Sequence, residues 1–145
     1  MQQIIDTPDQ DQVTLHYASF WARFGAIFID GLLMGAVQTL LIFTLGDGSF
    51  EGQNLSARSL AVVFQLLYFT LMEGSARQAT VGKIALGIKV GDEYGNRISY
   101  GQALGRYLGK ILSGLILLIG YLMVLWDDRR QALHDKLANT YVYEA

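Results

Sequence analysis

The feature that most constrains this chain is an apolar run from Phe24 to Leu45, in which Asp30 is the only charged residue. About 20 apolar residues, at a rise of about 1.5 Å each, form a helix that crosses about 30 Å of hydrocarbon. The run therefore predicts a first transmembrane helix. A charge near the centre of a bilayer costs about 2.5–3.5 kcal/mol on insertion scales, so Asp30 is predicted to mark a functional site or a buried pair.

The composition also indicates a membrane protein. Of 145 residues, 52% are hydrophobic and 17% charged, which is very apolar for a soluble domain of this size. The length predicts one domain over residues 1–145, in which residues 1–16 form an acidic, flexible leader with no basic signal-peptide start. The absence of cysteine, the two histidines and the net charge of −2 argue against disulfides, a metal site and nucleic acid as a partner.

Two further hydrophobic segments follow the first. Leu55 to Met72 predicts a second span, which ends at a helix stop formed by Glu73 and Gly74. The third segment has an uncharged part, Ile111 to Trp126, that is slightly short for a span. It either spans the membrane or re-enters it as two half-helices broken near Gly114 or Gly120.

The polar region between the second and third segments predicts a surface structure. Residues 88–100 alternate apolar and polar about a turn at Gly95 and Asn96, which predicts a small β-hairpin. Ser99 and Gln102 fit a capping box, so a helix is predicted to begin there. The sequence TYVY, residues 140–143, is typical of a strand and is expected to extend the hairpin.

The basic residues favour re-entry of the third segment. If that segment re-enters, every basic residue except Arg58 lies on one side of the membrane. The positive-inside rule then predicts that both termini and the hairpin are cytoplasmic.

Polar residues on the first helix form one stripe. Arg23, Asp30 and Gln38 lie on nearly the same face, and Asp30 is about 10 Å further along the axis than Arg23. Two interpretations stay open. Asp30 is a proton or cation site, or it is a carboxylate paired with Arg23 or Lys83 that locks the bundle.

Glycines at four-residue spacing predict close helix packing. One set is Gly31 and Gly35 in the first helix, and the other is Gly101, Gly105 and Gly109 in the third. The partner of the second set is either the first set or the same stripe in a second copy of the chain.

Three blocks of the sequence resemble a known family. They are YASFWARFGAIFID, QATVGKIALGIKVGDEYGNRISYGQALGRYL and DDRRQALHDKLANTYVY, and together they are similar to the RDD family of small integral membrane proteins. The resemblance covers Tyr17 to Tyr143. It implies that Arg23 is the family's arginine, that Asp30 is its first aspartate and that Asp135 is its second. It also implies a role in ion or small-solute movement.

The expected fold is an all-α membrane protein, a small transmembrane bundle of two full spans and a third spanning or re-entrant segment, with a small cytoplasmic β-hairpin. The expected function is facilitated movement of a cation, proton or small solute, with Asp30 as the titrating group. The alternative is a non-catalytic scaffold or accessory subunit in which Arg23, Asp30 and Asp135 form an ionic lock.

No enzyme activity is expected, because no serine, histidine and acid stand at a recognisable catalytic spacing. No cofactor, metal or catalytic residue is therefore predicted. The predicted partners are the lipid bilayer, a monovalent cation or proton, and either a second copy of the chain or another membrane protein. The predicted location is a bacterial cytoplasmic membrane.

Overall fold

The computed structural model describes residues 15–46, 55–116 and 118–145. Most of the predicted acidic leader, residues 1–14, lies outside the described residues. The same holds for residues 47–54 of the loop between the first two spans.

Two helices are long and apolar enough to cross a membrane. Helix α1 spans Phe20–Leu45, and the Ser19 side chain caps it by accepting a hydrogen bond from the Ala22 amide. It begins four residues earlier than predicted, which places Arg23 in its first turn. Helix α2 spans Leu55–Gly74, so it ends where the sequence predicted, with Glu73 in its last turn. Both predicted spans are confirmed.

The two long helices expose many large apolar side chains, whereas α1 buries both of its charged ones. On α1, Phe28 is 60% exposed and Leu32 is 62% exposed, whereas Arg23 and Asp30 of the same helix are buried. An apolar exterior of this kind needs lipid as its solvent, and charged side chains inside a membrane face the bundle. The expected membrane protein with a small helical bundle is confirmed.

The predicted hairpin over residues 88–100 is wrong, although the structure contains a small sheet. After helix α3, Val81–Ala85, strand β1 spans Ile88–Gly91 and pairs antiparallel with strand β2, Tyr141–Glu144. The Asp92 side chain accepts hydrogen bonds from the amides of residues 94 and 96, which closes a turn. Too few residues then remain before the next helix for a second strand. The predicted strand in the tail is confirmed.

The third hydrophobic segment is bent. Helix α4 spans Tyr100–Leu115 and begins with the predicted capping box of Ser99 and Gln102. Helix α5, Ile119–Leu122, continues into a 3₁₀ turn, and the two parts of the segment differ in direction by 114°. Helix α6, Leu133–Ala138, precedes β2.

Contacts at one end of the bundle indicate that the third segment turns back. The Ala18 amide, just before α1, donates to the Val142 carbonyl, and Tyr17 bridges Tyr143. Strand β1, which follows α2, pairs with the same tail strand. The start of α1, the segment after α2 and the tail therefore meet at one end. Because α4 starts there and the tail ends there, the arrangement agrees with re-entry.

Within the described chain, one of the five predicted glycines packs closely against another segment. A Cβ placed on Gly31 or Gly35 would meet no atom within 4 Å, so no described residue of this chain packs against them. A Cβ on Gly101 would meet only the Ser99 Oγ, at 3.8 Å, and one on Gly105 only the Ala138 Cβ, at 4.0 Å. A Cβ on Gly109 would lie 2.8 Å from the His134 Cβ. Within the chain, the glycine stripe therefore packs against α6 through Gly109 and not against the α1 glycines.

Candidate functional site

Asp30 is held by neutral hydrogen-bond donors. Its Oδ1 accepts from the Tyr68 hydroxyl at 2.8 Å and from the Gly82 amide at 2.9 Å, and its Oδ2 accepts from the Thr80 hydroxyl at 2.6 Å. A Cβ on Gly82 would lie 2.2 Å from the Ala26 carbonyl oxygen. Only glycine therefore lets the start of α3 approach α1 closely enough to donate to Asp30.

The prediction that Arg23 or Lys83 is the ionic partner of Asp30 is wrong. Arg23 donates to the Asp135 carboxylate and to the Arg130 carbonyl, and Lys83 donates to Glu73. Arg23 stands about two helical turns from Asp30, near the start of α1, where its side chain reaches the C-terminal segment. Of the predicted ionic lock, the pair of Arg23 and Asp135 is present and Asp30 is not part of it.

Glu73 is a buried acid that the sequence analysis missed. Its carboxylate accepts from Arg106 Nε at 2.8 Å, from Lys110 Nζ at 3.0 Å and from Lys83 Nζ. The side chain of Glu73 is 1% exposed. Arg106 and Lys110 lie one turn apart on α4, and this pair of bases on an otherwise apolar helix was the signal for a buried acid opposite.

Asp135 is a second buried acid. It accepts from Arg23 at 2.5 Å, from Arg106 and from the Ala132 amide at 3.0 Å, so it also caps the start of α6. Burial alone would raise the pKa of Asp135, but the charges of Arg106 and Arg23 hold that pKa well below its usual range. The carboxylate is therefore ionised throughout the physiological pH range.

Arg106 joins the two acids. Its guanidinium is fully buried and donates to Glu73, to Asp135 and to the Thr140 hydroxyl. Guanidinium nitrogens point in several fixed directions, which suits one arginine to two carboxylates. We call this set the ionic cluster; its members are Arg23, Glu73, Lys83, Arg106, Lys110 and Asp135.

A cavity of about 710 Å³ borders the ionic cluster, with α1 on one side and α4 and α5 on the other. Its wall includes Asp30 and Gln38. Asp135 lies behind Arg23 and Arg106 and is not one of the lining residues that the structure describes. The four bases of the cluster line the cavity, and Asp30 is the only acid among the described lining residues. Cavities of about 300–1,000 Å³ are the usual size for small-molecule sites.

Lys83 is a base of the cavity wall whose pKa lies close to the physiological range. Burial lowers its pKa to about 8, although the neighbouring Glu73 carboxylate opposes this shift. The ammonium therefore prevails at pH 7, and the neutral amine becomes accessible about one pH unit higher. Lys83 and Asp30 are thus two ionisable groups on the wall of one cavity.

His134 gives a prediction for the pH dependence of stability. Burial lowers its pKa from 6.5 to about 3, so between these values the unfolded chain binds a proton that the folded chain does not. The free energy of unfolding should therefore fall as the pH drops below about 6.5, by up to about 1.4 kcal/mol per pH unit from this group. Melting temperatures in detergent between pH 7.5 and 4.5 should fall less steeply for His134→Gln than for wild type.

The exposed His16 provides the matched control. A His16→Gln variant should follow the wild-type curve, because the substitution removes no buried side chain. Parallel curves for His134→Gln and wild type would contradict the assignment of His134 as a buried neutral group.

Comparison with known proteins identifies the family. A model of the RDD family matches residues 17–139. The chain belongs to the RDD family. This RDD chain is 33% identical over 145 residues to YxaI of Bacillus subtilis (strain 168), covering 86% of the chain and 95% of YxaI. It is 32% identical over 153 residues to the membrane protein YteJ of the same organism, covering 95% and 88%.

A shorter match extends beyond Bacillus. The RDD chain is 36% identical over 63 residues to the proline-rich antigen homolog of Mycobacterium tuberculosis (strain CDC 1551 / Oshkosh), covering 43% of the chain and 26% of that protein. No solved structure matches the chain significantly.

Proposed function

We propose that this RDD protein facilitates the movement of protons, or of a small solute together with protons, across the membrane, and that Asp30 takes up and releases the charge. The observation that carries the proposal is the position of Asp30 in the wall of the cavity with only neutral donors around its carboxylate. Protonation of Asp30 therefore changes the charge of the wall without breaking an ion pair.

The charge of the wall favours a proton over a metal cation. The bases Arg23, Lys83, Arg106 and Lys110 face the cavity together with the single described acid. A sodium or potassium ion in this cavity would be repelled by the bases. A proton moves by exchange between groups, and Lys83, with its lowered pKa, is a second exchanging group on the same wall.

Substitution of Asp30 tests the proposal. In proteoliposomes with an internal pH-sensitive dye, Asp30→Asn should fold and lose most of the proton flux, because an amide cannot ionise. Asp30→Glu keeps an ionisable group one methylene longer and should retain flux with a shifted pH dependence. Sodium, potassium and lithium gradients should each be imposed for comparison, and they should drive less flux than a proton gradient does, because the bases of the wall repel these cations.

An exposed aspartate provides the control. Asp128 is exposed and outside this cavity, so Asp128→Asn should keep wild-type flux. A folded Asp30→Asn protein with wild-type flux would remove Asp30 from the working site.

A second candidate is a non-catalytic scaffold or accessory subunit. The observation in its favour is that the three donors of Asp30 come from α2 and from the start of α3, so the carboxylate also holds three helices together. On this alternative Asp30→Asn lowers the melting temperature, and the wild type carries no flux under any gradient.

We also propose that the end of the bundle with the sheet faces the cytoplasm. Apart from Arg58, at the opposite end of α2, the basic residues belong to segments at this end or to helices that return to it, and short cytoplasmic segments are rich in lysine and arginine. A reporter fused after Ala145 should be active on the cytoplasmic side only. Activity of the reporter on the outer side would overturn this orientation.

A further inference from the structure

The ionic cluster carries more positive than negative charge. Arg23, Lys83, Arg106 and Lys110 face two carboxylates, Glu73 and Asp135. Even with Asp30 included, the described residues around the cavity have one positive charge more than they have carboxylates. Uncompensated charge inside a membrane protein is costly, so an anionic group beside these bases would stabilise them.

The bases also have hydrogen-bond donors available for a further group. Arg23 Nε is buried and has no hydrogen-bond partner among the described residues. Lys83 and Lys110 both donate to the same oxygen of Glu73, and each ammonium carries three hydrogens. A group with several acceptor oxygens, such as a phosphate, matches this set of donors.

The rest of the cavity wall is mostly apolar, and several of its apolar side chains are exposed at the surface of the chain. Among its lining residues, Phe24 is 54% exposed, Ile27 is 50% exposed and Ile111 is 51% exposed. Gly31 and Gly35 leave empty space along the α1 side, since a Cβ at either would meet no atom within 4 Å. A hydrocarbon chain fits such a wall better than a free inorganic ion does.

The depth of the bases suits a lipid headgroup. Arg23 is the fourth residue of α1, about 5 Å from its start at the end of the bundle where the sheet lies. We propose that the cavity binds an anionic phospholipid, with its phosphate beside Arg23, Lys83 and Lys110 and its acyl chains along the apolar wall. The inference goes beyond proton movement, because a lipid can bind a protein that carries no flux.

Lipid titration of the purified chain tests this proposal. The delipidated protein in detergent is titrated with dioleoyl phosphatidylglycerol, with dioleoyl phosphatidylcholine or with inorganic phosphate, and bound lipid is counted by native mass spectrometry. The phosphatidylglycerol should bind about tenfold more tightly than the phosphatidylcholine, and phosphate alone should not bind. Equal affinities for the two lipids, or phosphate binding as tight as that of phosphatidylglycerol, would overturn the proposal.

Two variants, each with a matched control, test the basic part and the apolar part of the site. Lys110→Gln should weaken phosphatidylglycerol binding about tenfold and leave phosphatidylcholine binding unchanged, whereas Lys89→Gln, a half-buried lysine outside the cavity, should change neither. Gly31→Leu fills the empty space and should weaken binding of both lipids, and Gly114→Leu, equally open but outside the cavity, should not. Identical behaviour within either matched pair would overturn the proposal, and the pair of Gly31→Leu and Gly114→Leu decides the matter if Lys110→Gln does not fold.

A second copy of the chain is the competing occupant of the cavity. Because the chain has no cysteine, a Gly35→Cys variant carries a single thiol in the cavity wall. The proposal expects excess phosphatidylglycerol to protect this thiol from a maleimide reagent. A disulfide between two copies that forms readily and excludes lipid would show that protein fills the cavity.

Discussion

Arg106→Gln is expected to lower the free energy of unfolding by about 3–5 kcal/mol, because removing one partner of a buried ion pair leaves charge uncompensated. The guanidinium is 1% exposed and bonds to Glu73, Asp135 and Thr140, and glutamine carries no charge to offer either acid. The melting temperature in detergent and the yield of folded protein are the measurements.

Arg106→Lys separates charge from geometry. A lysine keeps the charge, but one ammonium cannot reproduce the directions of the guanidinium donors toward two acids. Its stability should therefore lie between that of wild type and that of Arg106→Gln. Arg77 is exposed, and Arg77→Gln should have the wild-type melting temperature. An Arg106→Gln protein as stable as Arg77→Gln would mean that the cluster contributes nothing to stability.

Glu73→Gln is expected to have an effect of similar size, about 3–5 kcal/mol, for the opposite reason. The substitution leaves Arg106, Lys83 and Lys110 close together with no carboxylate between them. Removal of one of these bases should then relieve part of the repulsion. Glu73→Gln combined with Lys83→Met should accordingly be more stable than Glu73→Gln alone.

Thermal melting of the single and double variants provides a double-mutant cycle. Lys83→Met alone should destabilise the protein, because it removes one partner of Glu73. Glu144→Gln, at an exposed acid in β2, serves as the control and should melt like wild type. Additive effects of the Glu73 and Lys83 substitutions would show that the two side chains do not interact in the folded protein.

The sequence predicted those parts of the fold that depend on nearby residues. The span over α1 follows from a continuous apolar run, and the start of α4 follows from Ser99 and Gln102, three residues apart. The short uncharged length of the third segment raised the possibility of a break but left a full span open. The hairpin failed for a local reason that was overlooked, namely the ability of the Asp92 side chain to close a turn directly after β1.

The site was only partly predictable, because its contacts join residues far apart in the sequence. The apolar surroundings identify Asp30 and Arg23 as buried, but they do not specify the partners. Asp30 bonds to Tyr68, 38 residues later, and Arg106 bonds to Glu73, 33 residues earlier. A hydroxyl or a backbone amide can donate a hydrogen bond to a carboxylate as readily as a lysine can. The amino-acid composition therefore does not show which of these donors a buried carboxylate uses.

The glycine spacing illustrates the same limit. Gly31 and Gly35 have the spacing of a packing motif, yet they face the cavity. Gly82, which belongs to no such pattern, is the glycine whose missing side chain lets α3 reach Asp30. Spacing identifies small residues that share a face, and only the packed structure shows which of them another segment touches.

The pairing of Arg23 with Asp135 has a consequence for how the protein is made. The two residues are separated by 112 positions, and a ribosome synthesises the first helix well before it reaches α6. During translation Arg23 therefore enters the membrane without its carboxylate, and α1 acquires its ion pair only when the end of the chain has been made. A chain interrupted before Asp135 therefore keeps Arg23 without this carboxylate.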